Sequence, residues 1–145
     1  MRSVIQLVSD ADVQVGGKFI GQISRGIVAL IGIEKHDTEQ EAKKLIDKII
    51  NYRIFPDEQG KMNLSLLSIQ GGLLLIPQFT LVAETSKGTR PGFSLGMPPE
   101  QGKCLFETLL AYAKSHPLLI QHGQFGADMK VSLCNEGPVT FILQV

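Results

Sequence analysis

The chain has 145 residues, with 14 Lys and Arg against 14 Asp and Glu, so it carries no formal net charge at pH 7. That length is one domain's worth, large enough to bury a core without staples, and neutrality excludes the basic field of a long nucleic-acid footprint. Two cysteines, Cys104 and Cys134, exclude a disulfide framework or zinc spacing; with no signal-like opening and no membrane-length run, the expectation is a soluble cytoplasmic protein with both thiols buried and reduced.

Residues 4–8 and 11–15 read as strands, the second with clear period-two alternation. Gly16-Gly17 is a hairpin signal, and residues 19–23 return from it. Gly26 punctuates, and residues 27–33 form a third, deeply buried strand. Three strands on short links suggest an antiparallel meander. Thr38-Glu39-Gln40-Glu41 then has the form of a capping box. Ala42, Leu45, Ile46, Ile49 and Ile50 follow at helical spacing, which predicts an amphipathic helix over 38–51. Residues 57–61 are a polar turn, and 64–69 fit either a helical turn or a strand.

Gly71-Gly72 introduces Leu73-Leu74-Leu75-Ile76, four large aliphatics in a row that read as a strand buried on both faces. Pro77 ends ladder donation, because proline has no N–H. The chain leaves this stiff strand at Gln78-Phe79-Thr80, an amide, an aromatic ring and a hydroxyl, and rigid strand ends of this kind are where sites are built. From Ala83 to Pro99 the composition turns to Thr, Ser, Gly, Pro and charge, an ordered loop or a flap of functional length. Pro98-Pro99 suits the first turn of a helix running to about Ser115, stopped by Pro117. Residues 118–120, 129–134 and 139–145 read as closing strands. The whole, 1–145, is therefore expected to be one α+β domain with a largely antiparallel sheet and two main helices.

Thr80 is the only hydroxyl in its stretch, but as a nucleophile it needs a base. His36 and His116 read as solvated residues at element ends, and only His122 is near another candidate segment, that of Phe125. No nucleophile elbow and no Ser-His-Asp arrangement is present. Electrostatic catalysis fits better: the backbone amides of Phe79 and Thr80 are sensible donors to an oxyanion, and they do not titrate. Phe125 and Met129 read either as pocket lining or as core. Lys87 and Arg90 are either phosphate contacts or solvated loop charges. Gly137-Pro138, taken alone, is a turn.

Pro77-Gln78-Phe79-Thr80-Leu81 and Asn135-Glu136-Gly137-Pro138-Val139-Thr140 together resemble the two signature motifs of the D-aminoacyl-tRNA (D-tyrosyl-tRNA) deacylases. Residues 1–6, 85–91 and 125–129 are similar to that family in the same order, so the resemblance covers the chain. It implies a barrel-like core in a homodimer with the site at the interface. It also implies a cofactor-free and metal-free ester hydrolase that acts at the 3′ end of aminoacyl-tRNA, on neither DNA nor membrane, removing D-amino acids and mischarged glycine. Gln78, Phe79 and Thr80 take the catalytic positions. Gly137 and Pro138, joined by a cis bond, would enter the partner's pocket as a chirality filter made of main chain, with Phe125 and Met129 beside the substrate. Two positions depart from the family pattern: Pro77 stands where serine is usual, and Leu7 where arginine is common. Both look like features of a chirality-relaxed sister group that removes L-alanine from tRNA. Outside the family, a non-catalytic binder of RNA ends and a threonine-nucleophile hydrolase of another small ester are the rival readings.

Overall fold

Residues 2–15 form a single strand, β1 (Arg2–Val15), in the computed structural model, which describes every residue from Met1 to Val145. Two strands were expected here; the break falls instead in β1's neighbours. β2 (Lys18–Ile23) returns through the Gly16-Gly17 turn, both glycines at positive φ, and pairs with the second half of β1. β3 (Gly26–Gly32) pairs antiparallel with the first half, so the three strands are one long, interrupted hairpin rather than a meander. The polar pair Ser9-Asp10 falls where the register with the last strand slips.

Helix α1 (Glu39–Asn51) begins as the capping box predicts. Thr38 Oγ1 accepts the Gln40 amide at 3.2 Å, and Glu41 Oε2 accepts the Thr38 amide at 3.0 Å, satisfying donors that the first turn leaves free. The stripe Ala42, Leu45, Ile46, Ile49 and Ile50 is buried against the sheet. A small ribbon, β4 (Phe55–Pro56) with β5 (Met62–Leu64), follows, and the ambiguous segment resolves as a helical turn, α2 (Leu66–Ile69).

The organising strand is β6 (Gly72–Pro77). Leu73 to Ile76 are at most 1 % exposed, as four consecutive aliphatics require. Leu73 and Leu75 face the helices, while Leu74 and Ile76 face a second core with Val13, Ile23 and Val28. Each such side chain contributes about 1.5–3 kcal/mol on burial. Its pairing corrects the expected sheet. β6 runs parallel to β3, and parallel to β7 (Leu119–His122), so the sheet is mixed rather than largely antiparallel. The reason is connection length. Helical crossovers, α1 before β6 and α3 (Pro99–Ala113) after it, return the chain to the same end, which forces parallel neighbours. A Cβ on Gly26 would lie 1.9 Å from the Gly72 carbonyl oxygen, so only glycine permits this β3–β6 approach.

The closing strands also merge: β8 (Met129–Gln144) runs unbroken along β1 and carries Asn135 to Thr140 as an irregularity within it. At the other end of the sheet, a Cβ on Gly21 of β2 would touch the His122 carbonyl of β7 at 3.1 Å. The ends nearly meet, and the sheet curls towards a barrel. α3 starts with Pro99 in its first turn and ends at Ala113, two residues short of the expected Ser115. Both cysteines are exposed, contrary to the expectation of burial. Cys104 falls off the buried stripe Gly102, Leu105, Phe106 and Leu109, and Cys134 falls on the outward phase of β8. No helix is long and apolar enough to cross a membrane.

Candidate active site

At the end of β6 the Gln78 amide donates to the Ile31 carbonyl at 2.7 Å, the last rung of the ladder. The chain then turns into a 3-10 helix, Phe79–Val82, where a strand tip was expected. Gly32 makes room for it, since a Cβ there would lie 2.9 Å from Leu81 Cβ. The first donors of a helix have no partner within it, so the Phe79 and Thr80 amides stand at a fixed, polar turn on a rigid strand. Gln78 Nε2 donates to Thr80 Oγ1 across the same turn.

The loop after this turn is ordered by backbone bonds. Glu84 and Gly92 exchange two, at 2.8 and 3.0 Å, and Lys35 and Met97 donate to Leu95 and Ile33 at 2.9 and 3.2 Å. Glu84 Oε1 accepts the Ser86 amide at 2.8 Å, and hydrogen bonding from Ser86 holds its carboxyl below the usual value. On the opposite side, Phe125 packs against α3 where a Cβ on Gly102 would come within 3.2 Å of its ring.

Between these walls lies a cavity of about 420 Å³, bounded by Pro77, Phe79, Phe93, Met97, Phe125 and neighbouring backbone. An adjoining cleft of about 220 Å³ is lined by Gln78, Phe79, Ala127 and Met129. The Phe79 and Phe93 rings meet in a tilted contact, 5.1 Å between centroids and inclined at 54°. No residue lining either space is ionisable. Nowhere do three His, Cys, Asp or Glu side chains gather as metal ligands.

The structure therefore brings together Gln78, Phe79, Phe125 and Met129. Thr80 is exposed beside them, with no histidine or carboxylate bonded to its hydroxyl. Gly137 and Pro138 do not join this cavity. They sit exposed on β8, joined by a cis peptide bond, with Gly137 at φ +119°. Asn135 braces them: its Nδ2 donates to Thr140 Oγ1 at 2.9 Å, and its Oδ1 accepts the Val139 amide at 3.2 Å. Leu7, opposite this irregularity in β1, is buried.

His116 is half-buried against Tyr112, a more structural place than a solvated end. Sequence reasoning missed Phe93 and Met97. Their signal was present, as apolar residues standing alone in a segment of Thr, Ser, Gly and Pro.

The chain is similar to known proteins along almost its whole length. The model of a family described as D-Tyr-tRNA(Tyr) deacylase matches residues 4–144. A D-aminoacyl-tRNA deacylase of Pseudoalteromonas atlantica is 53% identical over 145 residues, covering 100% of both chains. One of Pseudomonas aeruginosa is 50% identical over 144 residues, 99% of each. Among solved structures, the c-Myc DNA Unwinding Element Binding Protein superposes with a TM-score of 0.94 at 41% identity, covering 100% of this chain and 99% of that one. A probable eukaryotic D-amino acid tRNA deacylase has a TM-score of 0.86 at 16% identity, covering 99% and 98%, a likeness of fold.

Proposed function

This chain belongs to the D-Tyr-tRNA(Tyr) deacylase family, and from that premise we infer how its pocket works. The protein is a carboxylic ester hydrolase that releases a D-amino acid from the 3′ end of tRNA. The observation that carries the mechanism is a cavity of about 420 Å³ without any ionisable lining residue, opening beside the unpaired amides of a 3-10 turn. That volume falls within the range of small-molecule sites and suits an aminoacyl-adenosine end.

Without an acid or base in the wall, neutral dipoles do the work. Water adds to the ester carbonyl carbon, and the carbonyl electron pair moves onto oxygen. The Phe79 and Thr80 amides face that developing charge; donors so placed each lower the barrier by about 3–4 kcal/mol. The tetrahedral centre then collapses and expels the ribose 3′-oxygen. That oxygen takes up the proton that water gave up, relayed by the neighbouring 2′-hydroxyl of the substrate. Free amino acid and intact tRNA result. Gln78 serves as a positioning residue by holding the Thr80 side chain. Thr80 is no nucleophile in this scheme, since no base attends it.

Gly137 and Pro138 supply the rejection of L-aminoacyl groups. In this reading they act in the cavity of a second copy, so that the working unit is a homodimer; their exposed place outside the cavity of their own chain supports it. Ile142, on the same strand and 79% exposed, is consistent with a face that a second copy covers. A chirality-relaxed reading, removal of L-alanine, is favoured by one feature: Pro77 itself lines the cavity.

The test is deacylation of matched D-tyrosyl-, L-tyrosyl-, glycyl- and L-alanyl-tRNA by purified, metal-stripped protein. Rapid loss of the D-ester and of glycine with L-tyrosine intact is the expected result. Comparable cleavage of L-alanyl-tRNA would assign the chain to the relaxed group. No cleavage of any substrate would overturn the hydrolase reading.

A further inference from the structure

We propose that the groove on the far side of Phe125 from the catalytic cavity carries the phosphodiester strand leading to the terminal adenosine, an inference that rests on the deacylase reading above. Phe125 is a shared wall. Its ring bounds the catalytic cavity on one side and, on the other, a groove of about 340 Å³. Ile20, Phe106 and Leu110 give the groove an apolar lining, and Lys103 and His122 stand along it. A nucleic-acid strand whose last residue enters the cavity and which leaves over Phe125 meets the half-buried Phe125 ring and the exposed Ile20 for its bases, over a floor of the buried Phe106 and Leu110, and cations for its phosphates, the pairing that single-strand sites use.

Lys103 lines the groove, Lys114 adjoins it through the groove residue His122, and neither is paired with a carboxylate. Lys103 forms no salt bridge, although Glu107 stands one helical turn further on; the chain's ion pairs lie elsewhere. Lys114 has the His122 ring as its partner, with Nζ 3.4 Å from Nε2. His122 Nδ1 lies 2.8 Å from the Gly123 carbonyl oxygen, which only accepts, so Nδ1 carries a proton and Nε2 is the ring nitrogen turned to Lys114. The ring thus orients the Lys114 ammonium without neutralising it. The dipole of α3 accounts for a cation at Lys114, just past the C-terminus, but gives no reason for one at Lys103, which lies beyond the first turn. Glu107 is the one carboxylate lining the groove, and it opposes an anionic strand.

The experiment compares D-tyrosyl-tRNA with 3′-D-tyrosyl-adenosine, which presents the same ester with no phosphate. In the double variant K103A/K114A, the KM for D-tyrosyl-tRNA should rise about tenfold or more with kcat within about twofold. The slope of log(kcat/KM) against log salt should shrink by about 1.4, for two phosphate contacts on a single strand. Hydrolysis of the adenosine ester should be unchanged. E107Q should move the KM for the tRNA substrate in the opposite direction. An equal loss on both substrates would overturn the proposal by showing damage to the cavity. So would an unchanged KM, or a rise produced instead by K87A/R90A in the loop across the cavity. If the unmodified protein cleaves neither substrate, the deacylase reading itself fails, and the groove assignment falls with it.

Discussion

Asn135 donates its side-chain amide to the Thr140 hydroxyl at 2.9 Å, closing a clasp over Gly137 and Pro138. The clasp has two more ties. The Val139 amide reaches Asn135 Oδ1 at 3.2 Å, and Gln6 Nε2 reaches Thr140 Oγ1 at 3.3 Å from the neighbouring strand. Replacing Asn135 by alanine removes two hydrogen bonds worth about 1 kcal/mol each. N135A should stay folded and lose roughly tenfold in discrimination between D- and L-tyrosyl-tRNA. Parallel deacylation assays measure the ratio, and an unchanged ratio would mean that the loop holds its shape without the clasp.

Gly137 has no room for a side chain. At φ +119°, a Cβ would lie 2.6 Å from Val139 Cγ2. G137A should therefore displace this segment, at a cost of about 1–2 kcal/mol, or a fall in Tm of roughly 3–8 °C. Cleavage of L-tyrosyl-tRNA should rise as rejection weakens. A variant with wild-type Tm and wild-type selectivity would remove the segment from the mechanism.

Thr80 offers a clean separation of mechanisms. Its hydroxyl accepts from Gln78 and has no base beside it, while its backbone amide survives substitution. T80A should retain kcat within about tenfold. A nucleophile's removal costs on the order of 10³-fold or more, and a loss of that size in single-turnover assays would establish side-chain catalysis instead.

The start of α1 gives a pH-dependent contribution with a definite sign. Hydrogen bonds from Thr38, side chain first and backbone second, hold the Glu41 carboxyl below its ordinary value of 4.5. Because the folded-state value is depressed, this stabilisation is fully present above pH 4.5 and is lost as pH falls through the lowered value. T38A should cost about 1 kcal/mol at neutral pH. E41Q should flatten the acid limb of the stability curve between pH 5 and 3, by roughly the share of one carboxylate. Urea melts across that range provide the check, and identical acid limbs for E41Q and wild type would exclude Glu41 as a contributor.

Local signals in this sequence were reliable wherever the determining contacts lie within a turn or two of helix. Thr38 and Glu41 marked the start of α1, Pro98-Pro99 the start of α3, and Gly16-Gly17 the hairpin, because caps and turns are made by residues four or fewer apart. The run Leu73 to Ile76 likewise declared burial on both faces, since no alternation was available to leave one face wet. The two motifs also marked Gln78, Phe79 and Thr80 as one group and Gly137 and Pro138 as another. What tertiary structure alone decided is which elements become neighbours. The parallel pairing of β6 with β3 brings Gly26 against Gly72, 46 residues away, and admits so close a backbone only because Gly26 has no side chain; Gly72 leaves room instead for the Ile23 side chain. The exposure of Cys104 and Cys134 depends on which phase of α3 and β8 meets the core, and composition does not encode that. Phe93 and Met97 reach the cavity because Glu34 and Gly96 bridge two distant segments. These are choices among long-range partners, whose free energies come from packing the whole chain at once, and no window of sequence contains them.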